Sequence, residues 1–127
     1  MAEADAAAVV QLLFELFEAR RWEDASALLA SDVVVDWPAT GERFVGRERF
    51  VGMQRAYPEG WAIEVVRVLA DGDQVASEVR VTHHGATFAS AGFWTVADGL
   101  IHVGVEYWVT VGGEEPPAWR RAWTEAG

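Results

Sequence analysis

The chain has no cysteine, no lysine and no asparagine. Without cysteine there can be no disulfide, thiolate nucleophile or cysteine-ligated zinc. Lysine and asparagine both use A-rich codons, and their absence beside abundant alanine is expected of a GC-rich bacterial genome. All ten basic residues are therefore arginine, and they face twenty acidic ones, for a net charge of −10. That charge argues against nucleic acid and anionic membranes as partners, since both need basic patches. No apolar run approaches the ~18 residues needed to span a bilayer, and the start Met1-Ala2-Glu3-Ala4-Asp5 is acidic where a secretory signal would be basic. A cytoplasmic location is expected. Also missing are a Gly-x-Ser-x-Gly elbow, a P-loop, a dinucleotide fingerprint and an HExxH pair. What remains is 127 residues, enough for one domain with a true core, 51% apolar and carrying seven tryptophans.

Helical signals come first. Val9, Leu13, Leu16 and Phe17 recur at helical spacing between Asp5 and Arg20, with Asp5 placed to cap the amino end. A second short helix follows Arg21-Trp22, with Glu23 and Asp24 suited to its first turn. Asp32 to Trp37 reads as a strand stopped by Pro38, and Phe44-Val45 as a short one. Gly46 to Tyr57 reads as a helix ending at Pro58 and Gly60. Four β-branched stretches then follow: Trp61–Ala70, Val75–His84, Thr87–Val96 and Leu100–Val111. The turn signals between them predict an antiparallel meander. The order implies an α+β domain spanning 1–127, with a core over 5–111 and a tail over 112–127. In the tail, Trp119 and Trp123 are spaced to share one face of a helix.

Alternation along the last strand puts Ile101, Val103, Val105, Tyr107 and Val109 on one side. His102, Gly104, Glu106, Trp108 and Thr110 fall on the other. Neither set looks like a plain water-facing surface. Helices on one face and a second subunit on the other are expected, making the protein a homodimer.

The order of elements resembles the nuclear transport factor 2-like superfamily, and within it the SnoaL-like polyketide cyclase and ketosteroid isomerase branch. The residues that carry the resemblance are Trp22-Glu23-Asp24 through Ser31-Asp32-Val33, Asp36-Trp37-Pro38, Gly46-Arg47-Glu48, Asp98-Gly99-Leu100-Ile101 and Glu106-Tyr107-Trp108. It spans about residues 8 to 111. The resemblance implies a cone-shaped fold, with N-terminal helices packed in a curved, mostly antiparallel sheet around an apolar pocket, and a homodimer formed through the sheets. It places the isomerase branch's base at Asp36 and its pocket tryptophan at Trp108. The positions of that branch's oxyanion donors fall near Leu13 and Ala91, which cannot donate, and this argues against steroid isomerisation by the same route.

Three titratable residues are the catalytic candidates. Asp36 interrupts an apolar strand beside Trp37, where desolvation would raise its pKa toward a working base; the other reading is a strand-end aspartate facing water. His83 shares a strand side with Val75, Val79 and Val81 and could exchange protons with Asp36, while His84 points the other way. Glu106 could be a pocket acid held protonated by burial, or half of an ion pair with His102 or an arginine. Trp37, Tyr57, Trp61, Phe93, Trp94 and Trp108 are candidates for pocket wall or interface, with His102 on the Glu106 side; Trp37 and Tyr57 could also stabilise an oxyanion. His102 and Glu106 lie ~13 Å apart along a strand, too far to clamp one ion, and no metal is expected.

The function expected is cofactor-free proton transfer on a small apolar carbonyl compound: cyclisation, isomerisation or dehydration. Asp36 would be the base and His83 and Glu106 the acid or orienting groups, which requires Asp36 and His83 to converge on the cavity. The alternatives are a non-catalytic small-molecule-binding homodimer and epoxide hydrolysis by carboxylate-activated water.

Overall fold

The computed structural model describes residues 2–127, with side chains from Ala6 onward. Helix α1 (Ala2–Glu18) begins ahead of Asp5, whose expected capping side chain lies outside the described residues. Ala6, Val10, Leu13, Phe14 and Phe17 recur three and four apart and are all buried, forming the stripe that faces the sheet. Helix α2 (Trp22–Ser26) carries Glu23 and Asp24 in its first turn.

Strand β1 (Leu29–Trp37) and strand β2 (Glu42–Val45) form a hairpin, and helix α3 (Arg47–Ala56) follows. Gly46, at the start of α3, has φ of +89° and donates its N–H to the Val33 carbonyl at 2.7 Å. A side chain would be strained there. The meander follows as β3 (Trp61–Asp71), β4 (Gln74–His83), β5 (Ala86–Ala97) and β6 (Leu100–Thr110). The six strands form one sheet in the order β2-β1-β6-β5-β4-β3. All pairings are antiparallel except β1 with β6. Register breaks in β1, β3 and β6 bend the sheet around α1, so that its concave face holds the core. Among the described residues, no helix is long and apolar enough to cross a membrane.

The break in β6 corrects the expected strand faces. Val96 pairs with Ile101 but Thr95 pairs with Val103, so His102 is the extra residue of a bulge. Ile101 is consequently buried on the concave side with Gly104 and Glu106, while Val103, Tyr107 and Val109 are exposed on the convex side.

Trp94 anchors the concave face. Its indole N–H donates to Ser77 Oγ at 2.9 Å, and its ring meets Phe14 edge-on at 6.0 Å. Gly104 is its direct partner on β6, and a Cβ there would collide with the indole ring. The glycine is therefore the space that the tryptophan fills. The tail is different. Ala118–Trp123 forms a 3-10 helix (η1), in which residues four apart no longer share a face, and Trp119 and Trp123 stand 72% and 83% exposed.

Two glycine substitutions should separate packing from propensity. Gly104→Ala should destabilise by about 1–3 kcal/mol, because neither the strand nor the buried indole can yield freely. Gly52→Ala, in the exposed middle of α3 with nothing near its Cβ position, should stabilise by roughly 0.5–1 kcal/mol. Urea unfolding of both variants checks the pair.

Candidate functional site

The concave face does not fill completely. Between α1, α3 and the sheet lies a cavity of about 170 Å³. Phe14 and Phe17 from α1 and Phe50 from α3 close one side. Trp61 and Ile63 on β3, Val79 and Val81 on β4, and Phe88 on β5 form the sheet wall. Glu106 and Trp108 come from β6 and Trp37 from the end of β1, while the exposed Thr40 and Tyr57 and half-buried Gln54 rim the opening.

Alternation along the strands delivers these side chains. Val33, Val35 and Trp37 point inward on β1, and Glu106 and Trp108 on β6. Trp61 is held by the end of α1: the Arg20 guanidinium lies 3.3 Å from the centroid of its ring and donates to the Trp61 carbonyl at 2.7 Å. Glu18 accepts the Ile63 N–H at 2.7 Å, tying the same helix end to β3.

Glu106 is the one carboxylate lining the cavity among the described residues, and only 2% of it is exposed. Burial pushes its pKa up to about 7, with the indoles of Trp37 and Trp108 pulling in the opposite direction. Trp37 Nε1 donates to Glu106 Oε1 at 3.0 Å and fixes the carboxyl against the wall. That N–H is therefore engaged, and is not a free oxyanion donor in this arrangement. The indole N–H groups of Trp108 and Trp61 are buried without an acceptor in hydrogen-bond geometry.

The other candidates separate. Asp36 does not face the cavity. As the strand neighbour of inward-facing Trp37 it must point to the convex side, where it lies directly opposite Arg43 on β2. Arg43 Nε donates to Asp36 Oδ1 at 2.7 Å and Nη2 to Oδ2 at 3.2 Å. Hydrogen bonding from Arg43 holds the Asp36 carboxyl below its ordinary pKa, against a smaller opposing effect of desolvation. It is thus the reverse of the desolvated base expected there. His83 points to the concave side of β4 but sits outside the cavity lining, edge-on to Tyr57 at 5.6 Å and with Nε2 3.3 Å from the Glu59 carbonyl. Asp36 and His83 therefore do not converge.

Among the pocket candidates, Trp37, Tyr57, Trp61 and Trp108 line the cavity. Trp94 is core, its N–H already satisfied by Ser77. Phe93 is on the convex face, 52% exposed and edge-on to Tyr107. His102, displaced by the bulge, has Nε2 3.3 Å from the Ala97 carbonyl at the base of the β5–β6 hairpin, far from pairing with Glu106. Phe14 and Phe17, buried in the inward stripe of α1, are also cavity wall. Phe50, Phe88, Gln54 and Thr40 were not singled out by sequence; helical spacing ahead of Tyr57 is the signal that could have found Gln54. No group of three or more metal-ligating side chains converges among the described residues.

Residues 10–103 match the family model described as a SnoaL-like domain. No curated protein matches the chain. Among solved structures, the chain is similar to a protein from Kribbella flavida DSM 17836 provisionally described as a ketosteroid isomerase, with 32% identity, 98% of this chain and 91% of that one covered, and a TM-score of 0.91. An NTF2-like protein of unknown function from Burkholderia xenovorans LB400 shares 20% identity over 99% of this chain and 98% of that one, with a TM-score of 0.82. An LEH-like epoxide hydrolase of M. tuberculosis shares 20% identity over 84% of each chain, with a TM-score of 0.72. With the family match covering most of its length and the curved sheet wrapped around α1, the chain belongs to the SnoaL-like domain family, on the NTF2-like cone fold.

Proposed function

We propose that the cavity carries out proton transfer next to a carbonyl of a small apolar substrate, with Glu106 as the group that takes and returns the proton. The observation that carries this reading is a single carboxyl, held by an indole N–H, at the wall of an otherwise apolar cavity. With its pKa near 7 the carboxyl populates both forms at neutral pH, as a group that must accept and then donate a proton requires. In the step, the ionised carboxyl takes a proton from the carbon beside the carbonyl. The C–H electron pair moves toward the carbonyl oxygen, and the protonated Glu106 returns the proton as the enolate collapses. The similarity to a protein provisionally described as a ketosteroid isomerase supports chemistry of this class.

The probe is deuterium exchange at the methyl group of acetophenone in D₂O, followed by NMR. Exchange catalysed by the protein should rise with pH through an apparent pKa near 7 and level off above it, because the ionised form is the base. Glu106→Gln should lose about 10²-fold or more, and Asp36→Asn should stay within about threefold of the parent. Loss of exchange in the Asp36 variant with retention in the Glu106 variant would overturn the assignment; binding without any exchange would make the chain a ligand-binding module.

The same carboxyl has a stability consequence. Its pKa is higher in the folded chain than in the unfolded one, so the folded state binds the extra proton between about pH 4.5 and 7. The stabilisation is complete below about 4.5 and is lost as pH rises through 7. Glu106→Gln keeps a neutral side chain at every pH. Its stability relative to the parent should therefore climb by about 3 kcal/mol between pH 4 and 8, read from urea unfolding at each pH.

We also propose that two chains pair through their convex faces. Val103, Tyr107 and Val109 on β6 and Phe93 on β5 are exposed together there. The cross-strand ion pairs Asp36–Arg43 and Arg67–Glu78 flank them, giving an apolar centre with a charged rim. Sedimentation at micromolar concentration should show a dimer, and Tyr107→Glu should convert it to a monomer; a monomeric parent would refute the pairing.

A further inference from the structure

We infer that Gln54 and Tyr57 bind the substrate's carbonyl oxygen, so that the oxygen lies at the mouth of the cavity and the carbon beside the carbonyl points inward to Glu106. This inference rests on the proposed use of the cavity and adds the electrophilic half of the site and the pose of the ligand.

An accounting of donors leads to these two residues. Proton removal beside a carbonyl moves charge onto the oxygen, and a donor placed there stabilises it. Besides Glu106, the polar side chains of the lining are three indoles, Thr40, Gln54 and Tyr57. Trp37 gives its N–H to Glu106, and Thr40 gives its hydroxyl to Glu42 at 2.6 Å. The indole nitrogens of Trp61 and Trp108 are buried out of a ligand's reach, and that of Trp108 acts on the Glu106 carboxyl. An ionised Glu106 only accepts. Gln54 and Tyr57 remain. Neither side chain is hydrogen-bonded to another described residue, and both are open to water: Gln54 is half-buried and Tyr57 39% exposed.

Helix α3 puts the two donors in line. Phe50, Gln54 and Tyr57 follow at intervals of four and three and so share one helical face. Phe50 is buried in the cavity wall, Gln54 is half-buried one turn on, and Tyr57, which ends the helix, stands at the opening. The Tyr57 ring is braced edge-on by His83 at 5.6 Å. A helix carries partial negative charge at this end, which opposes a second negative charge; Arg55 in the same last turn offsets it.

Glu106 fixes the other end of the substrate. It is 2% exposed in the sheet wall, whereas the two donors belong to the opening. The ionised carboxyl repels the partial negative charge of a carbonyl oxygen and turns it away, toward the donors. A cavity of about 170 Å³ is close in size to one of about 150 Å³ that takes benzene, so one small molecule reaches both. As Glu106 takes the proton, the C–H electron pair moves toward the oxygen, and the Gln54 amide and the Tyr57 hydroxyl donate to it. When the proton returns to carbon, the charge leaves the oxygen and both hydrogen bonds weaken. The class selected is a neutral ketone with an enolisable carbon; a hydrocarbon of the same shape gains nothing from the donors.

The experiment uses the full chain, the variants Gln54→Leu and Tyr57→Phe, and the double variant. Binding of acetophenone and of ethylbenzene, its acceptor-free counterpart, is followed by quenching of tryptophan emission and by calorimetry. Each single variant should weaken acetophenone binding by about three- to tenfold and leave ethylbenzene binding within about twofold, which also reports that the cavity has formed. In the deuterium-exchange assay the double variant should lose about 10²-fold in rate at saturating acetophenone. The midpoint of its pH profile should stay near 7, because the two donors act on the substrate and not on Glu106. The inference is overturned if both single variants bind acetophenone within twofold of the parent, if they weaken both probes equally, or if the double variant exchanges at the parent's rate. Binding and turnover fail separately. The expected binding pattern without exchange in the parent sinks the catalytic reading alone, and exchange in the parent that the double variant retains sinks this one alone.

Discussion

Strand β6 must satisfy two environments with alternate side chains. It pairs with β1 on one side and β5 on the other, in the interior of the sheet. Gly104, Glu106 and Trp108 serve the concave face, and Val103, Tyr107 and Val109 the convex one. The bulge at His102 sets this phase. It allows Ile101 to join the core at the hairpin end while Glu106 joins the cavity wall further along. The room for Trp94, the location of the acid and the apolar stripe on the outer face all depend on that single inserted residue.

Placing a carboxyl on such a strand is costly, since burial opposes its charge. The chain meets this with one hydrogen bond from Trp37 and with no cation among the described lining residues. An arginine in the wall would have stabilised the ionised form and drawn the pKa back down, as Arg43 does for Asp36 on the other side of the sheet. The two acidic residues thus sit on opposite faces with pKa values displaced in opposite directions, and the difference comes from their neighbours.

The fold was largely legible in the chain because its signals are local. Asp71-Gly72 and Asp98-Gly99 mark tight turns, β-branched alternation marks the strands between them, and the observed ends of β3 to β6 fall within about one residue of expectation. The site was less legible because it depends on which face a strand presents, and that is decided by partners distant in sequence. Asp36 and Trp37 are adjacent and cannot both face one cavity, a constraint visible in the sequence; which of them turns inward follows from the burial of Val33 and Val35 under the helices. Trp94 looked like wall but is core, because Gly104 and Ser77 on the flanking strands supply its space and its acceptor. Glu106 was identifiable as a pocket acid by alternation, since the bulge lies before it. His102 was not, because the bulge falls on that residue itself.

The cavity's acid and its opening are built from different kinds of structure. Glu106 rides on a central strand hydrogen-bonded on both sides. The rim residues Thr40, Gln54 and Tyr57 belong to a hairpin turn and to the end of α3 and the residue after it. Substitutions at the rim can therefore reshape the opening without disturbing the buried carboxyl, whereas almost any change in the register of β6 removes it from the cavity wall. Such a division lets single substitutions alter the mouth of the cavity while the buried carboxyl on the sheet stays in place, so that change between related chains should be written at the doorway and sameness in the sheet.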